Sequence, residues 1–280
     1  MKWPAPLARA EFFERLNRFA ATVRLKGRVV ECHVPNPSHL RELLHPGVPV
    51  YLLPAATNGR RTQFNLVMVE TDSGLASVDS HLPNRLFADA FHQGLFLDLH
   101  MHGSSVSDLG SQVSVLHSEV PFGSSRLDFA LIPSSVGAEL ASARIGLRDV
   151  SRRKTTGLQL LHSSSVGRPP AGRHLPVTYI EVKSCTLARG GIAYFPDPAS
   201  ERASRHMNEL ARAVRMGHRA FAFFVIQRHD VHAFTPNDAV DPAFGRAFRA
   251  ALAAGVEARA YRCNVSPTSV ELDDPVEVLA

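Results

Sequence analysis

Tyr179-Ile180-Glu181-Val182-Lys183 reads as a short strand carrying two opposite charges where a core strand carries none. On a strand rising about 3.3 Å per residue, alternate side chains share a face. Ile180 and Val182 therefore point one way and Glu181 and Lys183 the other, about 6.6 Å apart. Upstream, Arg126-Leu127-Asp128-Phe129-Ala130-Leu131-Ile132 repeats the pattern, with Leu127, Phe129 and Leu131 expected on one face and Asp128 on the other. Pairing of the two strands would set Asp128 beside Glu181. Two carboxylates and a lysine on neighbouring strands are the minimum parts for metal-assisted attack on a phosphodiester. Hard oxygen ligands hold Mg²⁺, and the lysine orients or deprotonates a water. A Glu-x-Lys standing alone reads as a solvated face or a surface ion pair worth ~0–1 kcal/mol, and it is the neighbouring segments that change this.

The chain of 280 residues, 45% hydrophobic, is long enough for one large or two smaller domains with real cores. Its three cysteines, Cys32, Cys185 and Cys263, are far apart and odd in number, which argues for a reducing compartment and against a zinc knuckle or a disulfide framework. The first residues are broken by Pro4, Pro6, Arg9 and Glu11 and lack a signal-peptide apolar run. No window approaches eighteen consecutive apolar residues. The expectation is a cytoplasmic protein with no membrane association. The net charge of +5 is carried entirely by residues 134–178, where seven basic residues face two acidic ones. A basic total spread this unevenly is not by itself a nucleic-acid footprint.

From Ala10 to about Leu82 short strands alternate with turn residues. Ala20–Leu25, Arg28–Val34, Val48–Leu53 and Gln63–Glu70 are the candidates, with Lys26-Gly27 and Asn58-Gly59 as hairpin turns. Pro35-Asn36-Pro37-Ser38 is expected to open a short helix through Glu42 and Leu44, closed by Pro46-Gly47. Such a run suggests an OB-fold-like barrel whose open face binds single strands, with Arg24, Lys26, Arg60 and Arg61 on its rim. Charges at hairpin tips are as readily explained by solvation.

A helix with Asn84 as its cap is expected over Asn84–Phe91, and the domain boundary is placed at residue 83, giving domains of 1–82 and 83–280. Ser111–Val120 returns to strand character and delivers Glu119. Residues 134–178, rich in Ser, Gly and Arg, read as a basic insertion, either a tether for phosphate or simply solvated. A helix follows from about Ser200 to Met216, with Arg202, His206 and Glu209 sharing a face. Arg219–Gln227 reads as a doubly buried strand, Asp241 caps a helix begun by Pro242, and Val256–Cys263 reads as the last strand. Strands and helices in this order describe an α/β domain.

Other constellations are weaker. His100-Met101-His102, after Asp98, has a metal-hydrolase spacing, but fourteen histidines make the pair cheap and no third ligand follows. Gly103-Ser104-Ser105 and Gly123-Ser124-Ser125 lack a Gly-x-Ser-x-Gly elbow, and Gly190-Gly191 lacks a Walker lysine.

Taken in order, Glu119, Asp128, Glu181-x-Lys183 and the Arg202/His206 helix resemble the PD-(D/E)xK nuclease superfamily. The closer resemblance is to the sugar fermentation stimulation protein A (SfsA) family. It is carried by Arg15-Leu16-Asn17-Arg18-Phe19, Pro35-Asn36, Leu43-Leu44-His45-Pro46-Gly47, Asn84-Arg85-Leu86, Ser118-Glu119-Val120, Leu127-Asp128-Phe129, Tyr179 to Ser184, Tyr194-Phe195-Pro196-Asp197, and Glu201-Arg202 through His206 to Leu210. Asn36-Pro37-Ser38 stands where the family usually has Asn-Thr-Gly, and residues 134–178 stand where typical members have a short loop.

The resemblance implies an α/β (α+β) protein: an OB-fold-like nucleic-acid-binding barrel followed by a restriction-endonuclease-like α/β domain. Its partner would be DNA or RNA and its cofactor Mg²⁺ or Mn²⁺. Asp128, Glu181 and the carbonyl of Val182 would ligate the metal, Glu119 would complete the acidic cluster directly or through water, and Lys183 would position the attacking water. Arg126 and Arg202 would bind the scissile phosphate with His206 hydrogen-bonding nearby, and Asn36, Asn84 and Arg85 would be further nucleic-acid contacts. The alternative is a non-cutting DNA-binding regulator of sugar (maltose) metabolism genes. A homodimer is compatible with either.

Overall fold

A computed structural model describes residues 1–55, 62–100, 114–133 and 176–280. The calls on Arg60, Arg61, Asn58-Gly59, Met101-His102, Gly103-Ser104-Ser105 and nearly all of the basic insertion lie outside the described residues.

The amino-terminal strands are β1 (Ala8–Asn17), β2 (Ala20–Leu25), β3 (Arg28–His33), β4 (Pro49–Pro54), β5 (Phe64–Thr71) and β6 (Gly74–Ser77). They run β3-β2-β1-β4-β5-β6, and a parallel contact between His33 of β3 and Asn65 of β5 closes the first five into a barrel of OB-like connectivity. Lys26 and Gly27 both have positive φ (50° and 79°), as a tight β2–β3 hairpin demands. The helix expected after Pro35 does not form. Leu40 takes φ 52°, and the segment makes only a turn in which the Leu43 and Leu44 amides both bond the Leu40 carbonyl. Pro46, just beyond that turn, has no amide to continue it.

Helix α1 (Leu82–His92) follows. Its N-cap is His81 rather than Asn84, and Pro83 occupies the first turn, where its missing N–H costs nothing. A 3₁₀ turn at Leu97–His100 precedes the second sheet.

That sheet contains β7 (Ser114–Phe122), β8 (Ser125–Pro133), β9 (Thr178–Cys185), β10 (Ala188–Arg189), β11 (Ile192–Phe195), β12 (Arg219–Ile226), β13 (Ala233–Pro236), β14 (Glu257–Val265) and β15 (Val270–Val278). Their order is β10-β11-β13-β15-β14-β12-β9-β8-β7, a mixed sheet. Helices α2 (Glu201–Arg215) and α3 (Pro242–Ala253) cover one face and α1 the other. Ser200 and Asp241 cap α2 and α3 through side-chain bonds to the Ala203 and Phe244 amides. The sequence pattern missed β15, because Val-Glu-Leu-Asp-Asp-Pro-Val-Glu-Val has neither a clean alternation nor a buried run. It pairs with β14, and Arg262 neutralises Asp273 and Asp274 at 2.9 and 2.6 Å.

The doubly buried reading of β12 holds: every residue from Ala220 to Ile226 is buried. Phe223 joins Phe87, Phe96, Phe129, Ile180 and Val182 under α1, whereas Phe224 joins Tyr179, Leu127, Met207 and Phe248 under α2 and α3. Leu127 thus faces away from Phe129 and Leu131, correcting the expected single apolar face of β8. The regular alternation breaks at Asp128. Among the described residues no helix is long and apolar enough to cross a membrane.

Candidate functional site

Strand β8 pairs with β9 through Phe129–Ile180, Ala130–Tyr179 and Leu131–Thr178, and the ladder stops there. At the next step the two carboxylates take over the bonding. The Asp128 amide donates to Glu181 Oε2 at 3.3 Å, and the Val182 amide donates to Asp128 Oδ2 at 2.8 Å. This reciprocal pair forces two acids into one place, and Asn84 of α1 steadies the other Asp128 oxygen, Nδ2 to Oδ1, at 2.9 Å. Asn84 therefore spends its amide on the site itself rather than on a nucleic-acid contact.

Glu181 is 1% exposed. Its Oε1 accepts from the Lys183 ammonium at 2.5 Å and contacts His206 Nδ1 of α2. Arg202 Nε donates to His206 Nε2 at 3.4 Å. His206 is thus held between Arg202 at Nε2 and both Glu181 and Lys183 at Nδ1. Burial pushes the Glu181 carboxyl up, but Lys183 and His206 outweigh it and hold it below the usual range. Asp128 goes the other way. Burial first, and then the neighbouring Glu181 charge, push its carboxyl up to about 6 against the pull of Lys183. The site thus holds one well-compensated carboxylate and one under-compensated one. Asp128 and Glu181 are the residues that could hold a hard cation, which takes carboxylate, carbonyl and water oxygens.

One expectation is corrected here, that of Glu119 as a direct member of the acidic cluster. Glu119 faces Asp128 in register, between the Ser118–Phe129 and Val120–Leu127 pairs, but its backbone takes φ 56°. The side chain turns into solvent, where Arg126 Nε meets it at 3.0 Å with both side chains mostly exposed. Glu119 therefore does not join the acidic pair directly, and Arg126 accompanies it on the surface. Among the described residues no three His, Cys, Asp or Glu side chains converge as metal ligands.

The acidic pair adjoins a cleft of about 450 Å³ between the barrel and the second sheet. Lys183 and Arg202 line it from one side and Arg18, Asn36 and Ser38 from the other. The Ser38 hydroxyl donates to the Asp197 carbonyl and ties the two walls together. Asn36 is 4% exposed and structural: its amide donates to the Val78 carbonyl at 3.0 Å, while its Oδ1 accepts the Ser38 amide at 2.8 Å. Arg15, which the sequence reading did not single out as a contact, holds this loop with bonds to the carbonyls of Asn17, Arg18, Asn36 and Ser38. Arg24 pairs with Glu11 at 3.2 Å on the barrel face, and Lys26 and Arg85 are exposed.

Glu209 shares the α2 side with His206 but does another job. Its Oε1 accepts both the amide and the hydroxyl of Ser124 at 3.0 Å, clamping the β7–β8 turn. Gly123, at φ 56°, lies so close that a Cβ there would come within 2.3 Å of the Glu209 carboxylate. An acid near a helix midpoint and a Gly-Ser turn are too common in sequence to have revealed this clamp.

Comparison with known proteins adds the relationship. The family model described as the SfsA N-terminal OB domain matches residues 13–78, and that described as the sugar fermentation stimulation protein RE domain matches residues 171–269. A sugar fermentation stimulation protein homolog of Moorella thermoacetica is 38% identical over 98% of this chain and 97% of its own. One from Desulforamulus reducens is 35% identical over 97% of this chain and 92% of its own. A solved structure of Pyrococcus furiosus SfsA in complex with Ca²⁺ is similar over 100% of both chains, with a TM-score of 0.73 at 25% identity. The chain belongs to the sugar fermentation stimulation protein (SfsA) family.

Proposed function

We propose that the protein is a metal-dependent phosphodiesterase acting on DNA or RNA, built on a PD-(D/E)xK-type site. The observation that carries this reading is the reciprocal Asp128–Glu181 pair with Lys183 two residues on, beside a cleft rimmed by Arg18 and Arg202. The donor set fits Mg²⁺ or Mn²⁺: Asp128 and Glu181 would hold the ion with the Val182 carbonyl, and waters would fill the remaining positions. A bound ion would supply Lewis-acid polarisation of the phosphate and a more acidic water. The Ca²⁺ bound by the Pyrococcus furiosus relative is in keeping with a hard-cation site.

The chain's own groups do the rest. Lys183, already held by Glu181, orients the attacking water by donating to its oxygen. Arg202, exposed at the cleft, meets the phosphate, while His206 keeps Glu181 in place. Cleavage of single- and double-stranded DNA and RNA with Mg²⁺ or Mn²⁺, comparing wild type with Lys183→Ala, tests the reading. A loss of about 100-fold or more is expected for the variant; wild type that binds but never cuts would overturn it.

A second reading, a DNA-binding regulator that does not cut, is favoured by the outward turn of Glu119, which leaves two carboxylates where three were expected. The two readings also differ in a binding titration. The acidic pair repels a polyanion until a cation neutralises it, so the nuclease reading requires weaker nucleic-acid binding in chelator.

A further inference from the structure

Strands β9 and β12 run parallel and end together, Cys185 beside Ile226, and the cleft lies at that carboxyl end, where parallel sheets commonly hold their ligands. Ser184 lines it next to Lys183. By alternation Ser184 belongs to the face of Ile180 and Val182, which pack in the apolar cluster under α1. At Ser184 the strand has left that cluster and reached the cleft. Behind it stands Gln227, 0% exposed, whose main chain is fixed from two sides. Its amide donates to the Cys185 carbonyl and its carbonyl accepts from the Ser77 amide of β6, each at 2.9 Å. The Gln227 side chain donates from Nε2 to Ser184 Oγ at 2.9 Å, while its Oε1 is buried without a partner. An unpaired buried amide oxygen carries a desolvation cost that an apolar side chain of similar size would avoid. What the glutamine provides is its bond to Ser184. A serine oxygen that accepts from an amide keeps its own proton for a second partner. Among the described residues that proton has no acceptor, and the space open to Ser184 is the cleft.

We propose that Ser184 is a further substrate-binding residue whose hydroxyl donates to a phosphate oxygen of the nucleic acid in the cleft, and that Gln227 is the positioning residue that keeps it a donor. The inference rests on the phosphodiesterase reading and adds to that site a contact its charged groups do not give. Arg18, Lys183 and Arg202 draw a polyanion in over a distance. A hydroxyl held from behind instead meets one oxygen within a narrow range of angles. Contacts to phosphate fix the register of a strand on a protein. Ser184 thereby sets which phosphodiester lies over Asp128 and Glu181, and being neutral it adds no charge beside Lys183.

Fluorescence anisotropy of the full chain in Mg²⁺, with Lys183→Ala as the parent so that substrate stays whole, would use labelled single- and double-stranded DNA and RNA oligonucleotides and continue with the form bound most tightly. Ser184→Ala should weaken binding by about ten-fold, the size of one lost hydrogen bond to a charged group, and Ser184→Thr should restore it. Methylphosphonates placed one at a time along the strand remove the charged oxygen. At one position their effect and that of Ser184→Ala should fail to add. Ser184→Ala also strands the Gln227 amide and should lower the melting temperature, which Ser184→Ala/Gln227→Leu recovers while affinity stays low. Unchanged affinity in Ser184→Ala, affinity that recovers with the melting temperature, or methylphosphonate effects that add at every position would overturn this inference and leave the phosphodiesterase reading standing. Absence of binding to any of these nucleic acids would remove both. Ser184-dependent binding with no cleavage by the unsubstituted chain would support this inference and remove only the cutting.

Discussion

The two faces of β9 differ as much as two sides of one strand can. Ile180 and Val182 enter a dry cluster in which Phe223 meets Phe87, Phe96 and Tyr261, each at 5.0 Å between ring centroids. Glu181 and Lys183 enter a charged pocket closed by His206 and Asp128. The dry face holds its shape by packing alone. On the other face the shape depends on charges that oppose one another, and one of them, Asp128, is left short of compensation. The comparison teaches that the wall is kept rigid so that the pocket can afford an unfavourable charge.

The strongest test of that division is to hollow out the dry face. Phe223→Ala should cost about 3–5 kcal/mol in urea denaturation, since its packed neighbours cannot collapse into the space. A cost below ~1 kcal/mol would mean that the wall is not what holds β9.

The charged face should show its tension as a pH dependence. The folded-state pKa of Asp128, about 6, lies above its ordinary 3.8, so the folded chain binds the proton more tightly than the unfolded chain. Its contribution is most favourable below about pH 4 and is lost as pH rises through about 6, by up to ~3 kcal/mol. Metal-free wild type should therefore lose stability across that window relative to Asp128→Asn, and saturating Mg²⁺ should recover it in wild type only. Parallel profiles for the two proteins would remove the claim that Asp128 is under-compensated.

Next in size is the clamp between α2 and the β7–β8 turn. Glu209→Ala removes two bonds to a charged acceptor and should destabilise by about 1.5–3 kcal/mol, measured by chemical denaturation. If the clamp also positions Asp128 four residues beyond Ser124, Mg²⁺ affinity should fall with it. The smallest effect is expected at the cysteines. Burial pushes Cys32, Cys185 and Cys263 each up to about 12, so the native chain should resist alkylation at pH 8 and react only once unfolded. Rapid native labelling of any of the three would contradict their burial.

Much of the architecture was legible from local pattern. Turn chemistry at Lys26-Gly27, the Ser200 and Asp241 caps, and the apolar run of β12 each act within a few residues, so sequence reports them directly. The short or charged strands β10, β11, β13 and β15 were missed because pairing partners, not their own residues, make them strands. The site divides in the same way. Alternation along β9 correctly set Glu181 and Lys183 opposite Ile180 and Val182, but applied to β8 it failed at Leu127, where the ladder ends.

Glu119 and Glu181 show most plainly where local information stops. As residues they are alike, and each stands near Asp128 on a strand beside it. Residue order established which acids and which lysine belong to one sheet, because a period of two along a strand is a property of the chain itself. Which acid turns inward was decided by partners distant in sequence. His206 and Lys183 hold Glu181 in the pocket, whereas Arg126 and a left-handed backbone hold Glu119 in water. The charge of a buried carboxylate must be compensated where it lies, and only the folded chain brings the compensating groups there.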